Sequence, residues 1–460
     1  MLPLPALVPV AVLAALEPAP AGVAVVPAEA MTLAVAVVGD GVLADMAGGA
    51  YSQSRHRVVP DARSRLAYAV AMKPIAARID ALSGEGALSV YARAKELERQ
   101  GRSIIHLELG EPDFHPAPPV LEALQRAVAD GRDRYCAVKG LPALRDELAR
   151  YLARTRDLAL SGDDVVIAPG CKIALFLALM ALVEPGDEVL YPDPGFPAYS
   201  SITRGLGGVP VAFELAEPRR LQPDPDQIAA RITPRTKLLI TNSPSNPTGA
   251  LYTDDVQRRL AELAVAHDLY VISDEIYARI VYGARFRSMR SYPGMAERTV
   301  IIDGFSKSFA MTGWRLGYAV APPAVVAALD MLAVNSYTCV AEFTQHAAIE
   351  ALRDRDDATP RMVAEFHRRR DQFTRDLGQV AGFRCAPPDG AFYAWVNIAG
   401  TGASAEEVCR ILLEDGGVAA IPGAGFGPSG KDFIRFSFAS STATLREAVE
   451  RIHKVSVAWR

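Results

Sequence analysis

Residues 165–190 read as a short apolar strand, a glycine turn, an apolar helix, the turn Pro185-Gly186-Asp187 and a second strand. Three more apolar runs follow, at 237–241 and at the starts of 269–283 and 299–318, and each ends in a polar cluster. A strand, a glycine turn and an apolar helix in that order are what an α/β crossover contains. At 460 residues the chain is too long for one ordinary core, so a large domain with a smaller companion is expected. Open parallel sheets bind ligands beyond the carboxyl ends of their strands. The residues at the end of each apolar run are therefore where chemistry is to be sought.

After the first run, Gly170, Cys171 and Lys172 open a helix whose free amides and positive dipole end suit a phosphate. Any α/β crossover has such a turn, and Lys172 could equally be a solvated helix residue. In NSPSNPTG (242–249), Pro244, Pro247 and Gly249 shape an extended turn that presents Asn246 at the sheet end, unless the loop is merely capped. The run at 269–283 ends in Asp274, Glu275 and Tyr277; a strand-terminal Asp can also be only a helix cap. In FSKSFAMTGWRLGY (305–318) an amine, Lys307, follows the last strand, and Arg315 lies eight residues beyond. An amine for imine chemistry and a permanently charged planar donor are the equipment that holds a phosphorylated aldehyde. Near the C-terminus DFIRFSFASS (432–441) is an alternating strand carrying Arg435, suited to a two-pronged grip on a carboxylate or simply solvated.

Together these segments, from about residue 73 to 460, resemble the class I and II aminotransferases, pyridoxal-phosphate enzymes of fold type I. The resemblance implies a large cofactor-binding domain over 116–332, with a mostly parallel seven-stranded sheet flanked by helices, and a small α/β domain built from 73–115 and 333–460. It implies Lys307 as the internal-aldimine lysine, which shuttles a proton between Cα and C4′ once substrate displaces it. Gly170, Cys171, Lys172 and Arg315 would then meet the cofactor phosphate. Phe196, in YPDPGFPAYSSI (191–202), would lie against the pyridine ring where the family more often has Trp or Tyr. Asn246 and Tyr277 would reach the phenolic oxygen, and Asp274 would keep the ring nitrogen protonated, making the ring an electron sink. Glu275 reads as structural. Arg435 would clamp the substrate α-carboxylate, with Asn246 and Gly110, in LELGEPDF (107–114), close by; a side chain at Gly110 would obstruct that approach.

Many family members carry Ser where this chain has Gly304; Ser306 and Ser308 offer hydroxyls nearby. Tyr135, in the segment 134–151, matches a residue that reaches the neighbouring subunit's cofactor phosphate, which implies a homodimer with shared sites. The implied reaction is ping-pong: an L-amino acid gives up its nitrogen, leaves as a 2-oxo acid, and a second 2-oxo acid takes the nitrogen. β-Elimination and aminocyclopropane-carboxylate formation use the same motifs and remain alternatives. So does a non-catalytic cofactor-binding regulatory module, although no helix-turn-helix is legible in the first seventy residues. No second cation for a dicarboxylic side chain can be assigned from sequence, so the donor class stays open.

Half the residues are apolar, 22% are charged and the net charge is -4, the balance of a globular enzyme. No dense basic run with interleaved aromatics favours nucleic acid. Five cysteines, odd in number and without a CxxC pair, argue against a disulfide framework or a metal site and fit a reducing cytoplasm. The first 54 residues hold no Lys or Arg, so the positive start of a secretory signal is missing. Glu17, Glu29 and repeated Pro interrupt their apolar runs, and no membrane segment is expected.

Residues 1–72 are a different kind of sequence, with β-branched and alternating stretches and the turn Gly39-Asp40-Gly41. The segment 39–59 and the residues just beyond it weakly resemble the tail of an iron/2-oxoglutarate dioxygenase jelly roll, in which His56 would be a metal ligand and Arg65 would grip the oxoacid. Ala67 stands where that family usually has Ser, and the upstream HxD ligands are missing. A metal-free remnant is expected, with a partner surface, or half of a site completed by another chain, as the alternative.

Overall fold

Successive strand residues face opposite sides of a sheet, so an apolar run can serve two cores at once. The computed structural model describes residues 73–354 and 357–459. The β-rich reading of 1–72, with His56 and Arg65, lies outside the described residues. The chain begins with α1 (Gly86–Arg99), β1 (Ile105–His106), α2 (Pro118–Ala129) and α3 (Pro142–Arg156). It continues through β2 (Val165–Ala168), α4 (Cys171–Leu182), β3 (Glu188–Asp193), α5 (Ala198–Gly205), β4 (Val209–Glu214) and the short α6 (Pro225–Ala229). Then come β5 (Thr236–Asn242), α7 (Asp254–Ala266), β6 (Tyr270–Asp274), β7 (Thr299–Gly304), β8 (Gly317–Val320) and α8 (Pro323–Val334).

Strands β2 to β8 make a seven-stranded sheet in the order β2-β8-β7-β6-β5-β3-β4. Only β8 runs against its neighbours. This is the mostly parallel α/β sheet that the resemblance implied. Val300 and Ile302 of β7 enter one core with Leu238, Ile240 and Ile272, while Ile301 enters the other with Ile167 and Val320. Each such buried aliphatic side chain contributes about 1.5–3 kcal/mol of transfer free energy. Helix α4 is apolar on most sides because it is packed between the sheet and α8; Leu175, Leu177, Leu179 and Leu182 are all buried.

The last third supplies α9 (Glu342–Arg353), α10 (Ala358–Leu377), β9 (Arg384–Cys385), β10 (Tyr393–Asn397), α11 (Ala405–Glu414), β11 (Val418–Ala419), β12 (Ile421–Pro422), β13 (Phe433–Ser437) and α12 (Thr442–Val455). Strands β12-β13-β10-β9 form an antiparallel sheet, and β1 pairs in parallel with β11. Phe366 and Phe373 of α10 and Ile452 of α12 cover that sheet through Phe392, Val396 and Phe436. The described residues from Pro74 onward form one compact unit. None of the described helices is long and apolar enough to cross a membrane.

Candidate active site

The parallel strands β5, β6 and β7 end side by side. Asn242 is the register partner of Asp274, and Asp274 of Ile302. The loops leaving these ends open into a cavity of about 310 Å³, bordered from the other sheet by Tyr393 and Arg435. Lys307, Gly110, Cys171, Lys172, Phe196, Asn246, Asp274, Tyr277 and Arg315 all line it. Gly170 holds the turn before α4, and Tyr135 does not reach the cavity; its side chain is 87% exposed.

Lys307 is partly buried in the loop from β7 to β8 and donates to the carbonyl of Gly110. Burial disfavours its ammonium and brings it down to about 8, so much more free amine is present near neutrality than on an ordinary lysine. Asp274 moves the opposite way: burial pushes its carboxyl up to about 6. Its Oδ2 accepts from the Tyr199 hydroxyl at 2.7 Å and its Oδ1 from the backbone N–H of Ile276 at 3.3 Å. A buried carboxyl held by two donors, with no cation among the described residues bonded to it, suits a cationic ring nitrogen. Glu275 turns away from the cavity and bonds Arg156 at 2.6 Å, with Asp303 on the same guanidinium.

Gly170 adopts φ 93° before α4, and the amides of Cys171 and Lys172 have no carbonyl one turn earlier in the helix to bond. A Cβ on Gly170 would lie 2.5 Å from Nη2 of Arg315, so the bare turn lets the guanidinium stand directly over the helix start. Free amides, a positive dipole end and an arginine make a setting that suits a phosphate. Gly304 also has a local reason. A Cβ there would meet the sulfur of Cys171 at 2.7 Å and the Gly317 Cα at 2.8 Å, which leaves no room for the family's serine. Ser306 lines the cavity, whereas Ser308 faces a separate one and its carbonyl accepts from Thr359.

Arg435 projects from β13. Its Nη1 donates to Oδ1 of Asn246 at 2.8 Å and its Nη2 to the carbonyl of Glu108 at 2.6 Å, while Nε has no partner. An unpaired, buried N–H on a cavity wall is costly unless an anion takes it. The guanidinium lies 4.3 Å from the centre of the Tyr393 ring, whose hydroxyl is 2.7 Å from that of Tyr277. Gly110 has a packing reason to be bare as well: a Cβ there would fall 1.9 Å from the Tyr393 oxygen.

Tyr199, Tyr393 and Glu85 are among the cavity residues not anticipated from sequence. Tyr199 sits three residues after Phe196 and meets it edge-on, with centroids 5.7 Å apart; that spacing was the available signal. Tyr393 lies two residues along β10 from Trp395, which is opposite Arg435, so pairing of β10 with β13 puts Tyr393 and Arg435 on one face. Glu85 precedes α1, and no local pattern marks it. It holds the Lys172 ammonium, which lies over the Phe196 ring at 5.5 Å from its centre.

A bound pyridoxal phosphate fits this donor set. The setting at Gly170 and Arg315, the buried carboxyl of Asp274, the Phe196 ring and the Lys307 amine face one cavity, and the orphaned Nε of Arg435 remains for a second anion.

Residues 102–452 match the family described as aminotransferase class I and II. A putative aminotransferase YugH of Bacillus subtilis is 40% identical over 76% of this chain and 91% of its own length. An aspartate aminotransferase of Geobacillus stearothermophilus is 38% identical over 83% of this chain and 98% of its own. The solved aspartate aminotransferase of Thermus thermophilus with maleate superposes with a TM-score of 0.80 at 36% identity, covering 84% of this chain and all of that one.

Proposed function

The chain belongs to the class I and II aminotransferases, which move amino groups with pyridoxal 5′-phosphate, and we propose that Lys307, Asp274, Asn246, Tyr277, Phe196, Arg315 and Arg435 form its active centre. The observation that carries this assignment is the convergence of Lys307, Asp274 and Arg435 on one cavity, where burial draws the amine down and the carboxyl up. The reaction exchanges the amino group of an L-amino acid with a 2-oxo acid in two half-reactions. When bound, the cofactor withdraws electron density from the amino acid's Cα–H bond.

The chain's own groups do the rest. The cradle of Gly170, Cys171 and Arg315 holds the phosphate, Phe196 backs the ring, and Asn246 and Tyr277 meet its phenolic oxygen. Asp274, steadied by Tyr199, keeps a positive charge on the ring nitrogen. Arg435 takes the substrate α-carboxylate through its free Nε, with Asn246 and Tyr393 fixing the guanidinium. That grip sets Cα within reach of the Lys307 amine, which takes and returns the proton. Cys171 contributes its backbone, since burial pushes its thiol well above the ordinary range.

The reading extends to a homodimer in which Tyr135 of each subunit serves the other's phosphate, supported by its 87% exposure. It extends also to a division at 115/116 and 332/333 into a small and a large domain, supported by the separation of the seven-stranded sheet from the four-stranded and two-stranded ones. A cytoplasmic location is supported by five unpaired cysteines.

Borohydride reduction of the holoenzyme followed by peptide mapping tests the assignment. The label belongs on Lys307; a label on another lysine overturns it. Lys307→Ala is expected to cut kcat at least about a thousandfold. Arg435→Ala is expected to raise the KM for amino acids by roughly ten- to a hundredfold, the worth of a charge-assisted hydrogen bond.

A further inference from the structure

Among the described residues the cavity carries four cations, Lys172, Lys307, Arg315 and Arg435. The proposed function commits three of them: Arg435 to the α-carboxylate, Arg315 to the phosphate and Lys307 to the proton at Cα. Among the described residues that line the cavity, only Lys172 remains to meet a charge on the substrate side chain. Its ammonium has left the helix start, crossed the face of Phe196 and paired with Glu85, which also lines the cavity. Ala87 and Leu88, just after Glu85 in the chain, and Leu109 also line the cavity. Leu88, an apolar lining residue, is 59% exposed.

With the ligands in place the charges at this end already balance. A distal carboxylate on the substrate would have to approach Lys172 alongside the carboxylate of Glu85, and like charges brought together are strongly disfavoured. An uncharged side chain meets no such opposition and gains contact with Ala87, Leu88 and Leu109. We propose that Glu85 is a specificity-determining residue. By occupying Lys172 it tunes this aminotransferase to amino acids with apolar or aromatic side chains and against dicarboxylic ones. The inference rests on the cavity being the amino-acid site, and it sets this chain apart from the relatives named for aspartate.

The test uses holoenzyme of the wild type, Glu85→Gln and the double variant Glu85→Gln with Lys172→Met. Two non-reacting acids serve as probes in calorimetric titration, succinate for a dicarboxylic substrate and 3-phenylpropionate for an aromatic one. Wild type should bind 3-phenylpropionate more tightly than succinate. Glu85→Gln should tighten succinate by about tenfold or more while moving 3-phenylpropionate by less than about twofold, and the double variant should lose the gain. Half-reaction kcat/KM values for aspartate and phenylalanine should follow the same order. Three results would each overturn the proposal: succinate preferred by wild type, an unchanged ratio in Glu85→Gln, or a gain that survives loss of Lys172. If no amino acid changes the absorbance of wild-type holoenzyme, the active-centre assignment fails instead. The titrations still judge Glu85.

Discussion

Asp274 carries opposite consequences with and without a cation beside it. Its folded pKa is raised by burial to about 6, so the protonated form is favoured by the fold. Stability from this group is present below about pH 4 and is lost as pH rises through about 6. In the cofactor-free protein at pH 8 the ionised carboxylate therefore stands as a cost, offset in part by the Tyr199 hydroxyl. Asp274→Asn should make the cofactor-free protein more stable at pH 8 by about 1–2 kcal/mol, with the gain vanishing near pH 4. If Asp274 meets the ring nitrogen as proposed, the same change in the holoenzyme should lower kcat at least about a hundredfold. Urea midpoints of both proteins across pH measure the first effect, and equal midpoints at pH 8 would remove the electrostatic account of this carboxyl.

At the scale of elements, the decisive junction is where β7 and β8 abut the start of α4. A Cβ on Gly317 would lie 2.5 Å from the backbone nitrogen of Cys171 and 2.6 Å from the carbonyl carbon of Gly170. Both are backbone atoms, so β8 or the helix start would have to move. Gly317→Ala should cost about 1–3 kcal/mol in stability and weaken the phosphate cradle. Pyridoxal-phosphate titration of the variant is expected to give a dissociation constant about tenfold higher. An unaltered constant would mean that the helix start is not part of the cofactor site. The strand-turn-helix signal of this junction is legible at residues 165–182 because β and α periodicities switch across one glycine. The abutment of β8 on that turn is not legible, because it joins residues about 150 positions apart.

For the whole molecule, the open question is what completes the phosphate end of the site. Tyr135 is a large aromatic residue left 87% exposed, next to Cys136, which is held by Gln345. If a second copy receives it, Tyr135→Phe should raise the dissociation constant of pyridoxal phosphate by about ten- to a hundredfold without changing the sedimentation of the dimer. An unchanged constant would take Tyr135 out of the site. The four polar clusters that end the apolar runs, and with them Lys307, Asn246, Asp274 and Arg315, were determined by the sequence alone, because strand periodicity and turn chemistry act over a few residues. The clamp of Arg435 by Asn246, the crowding of Gly110 by Tyr393 and the capture of Lys172 by Glu85 were decided only by the tertiary structure. Each joins segments 87 to 283 residues apart, whose meeting depends on how separate sheets and helices pack and not on any local pattern.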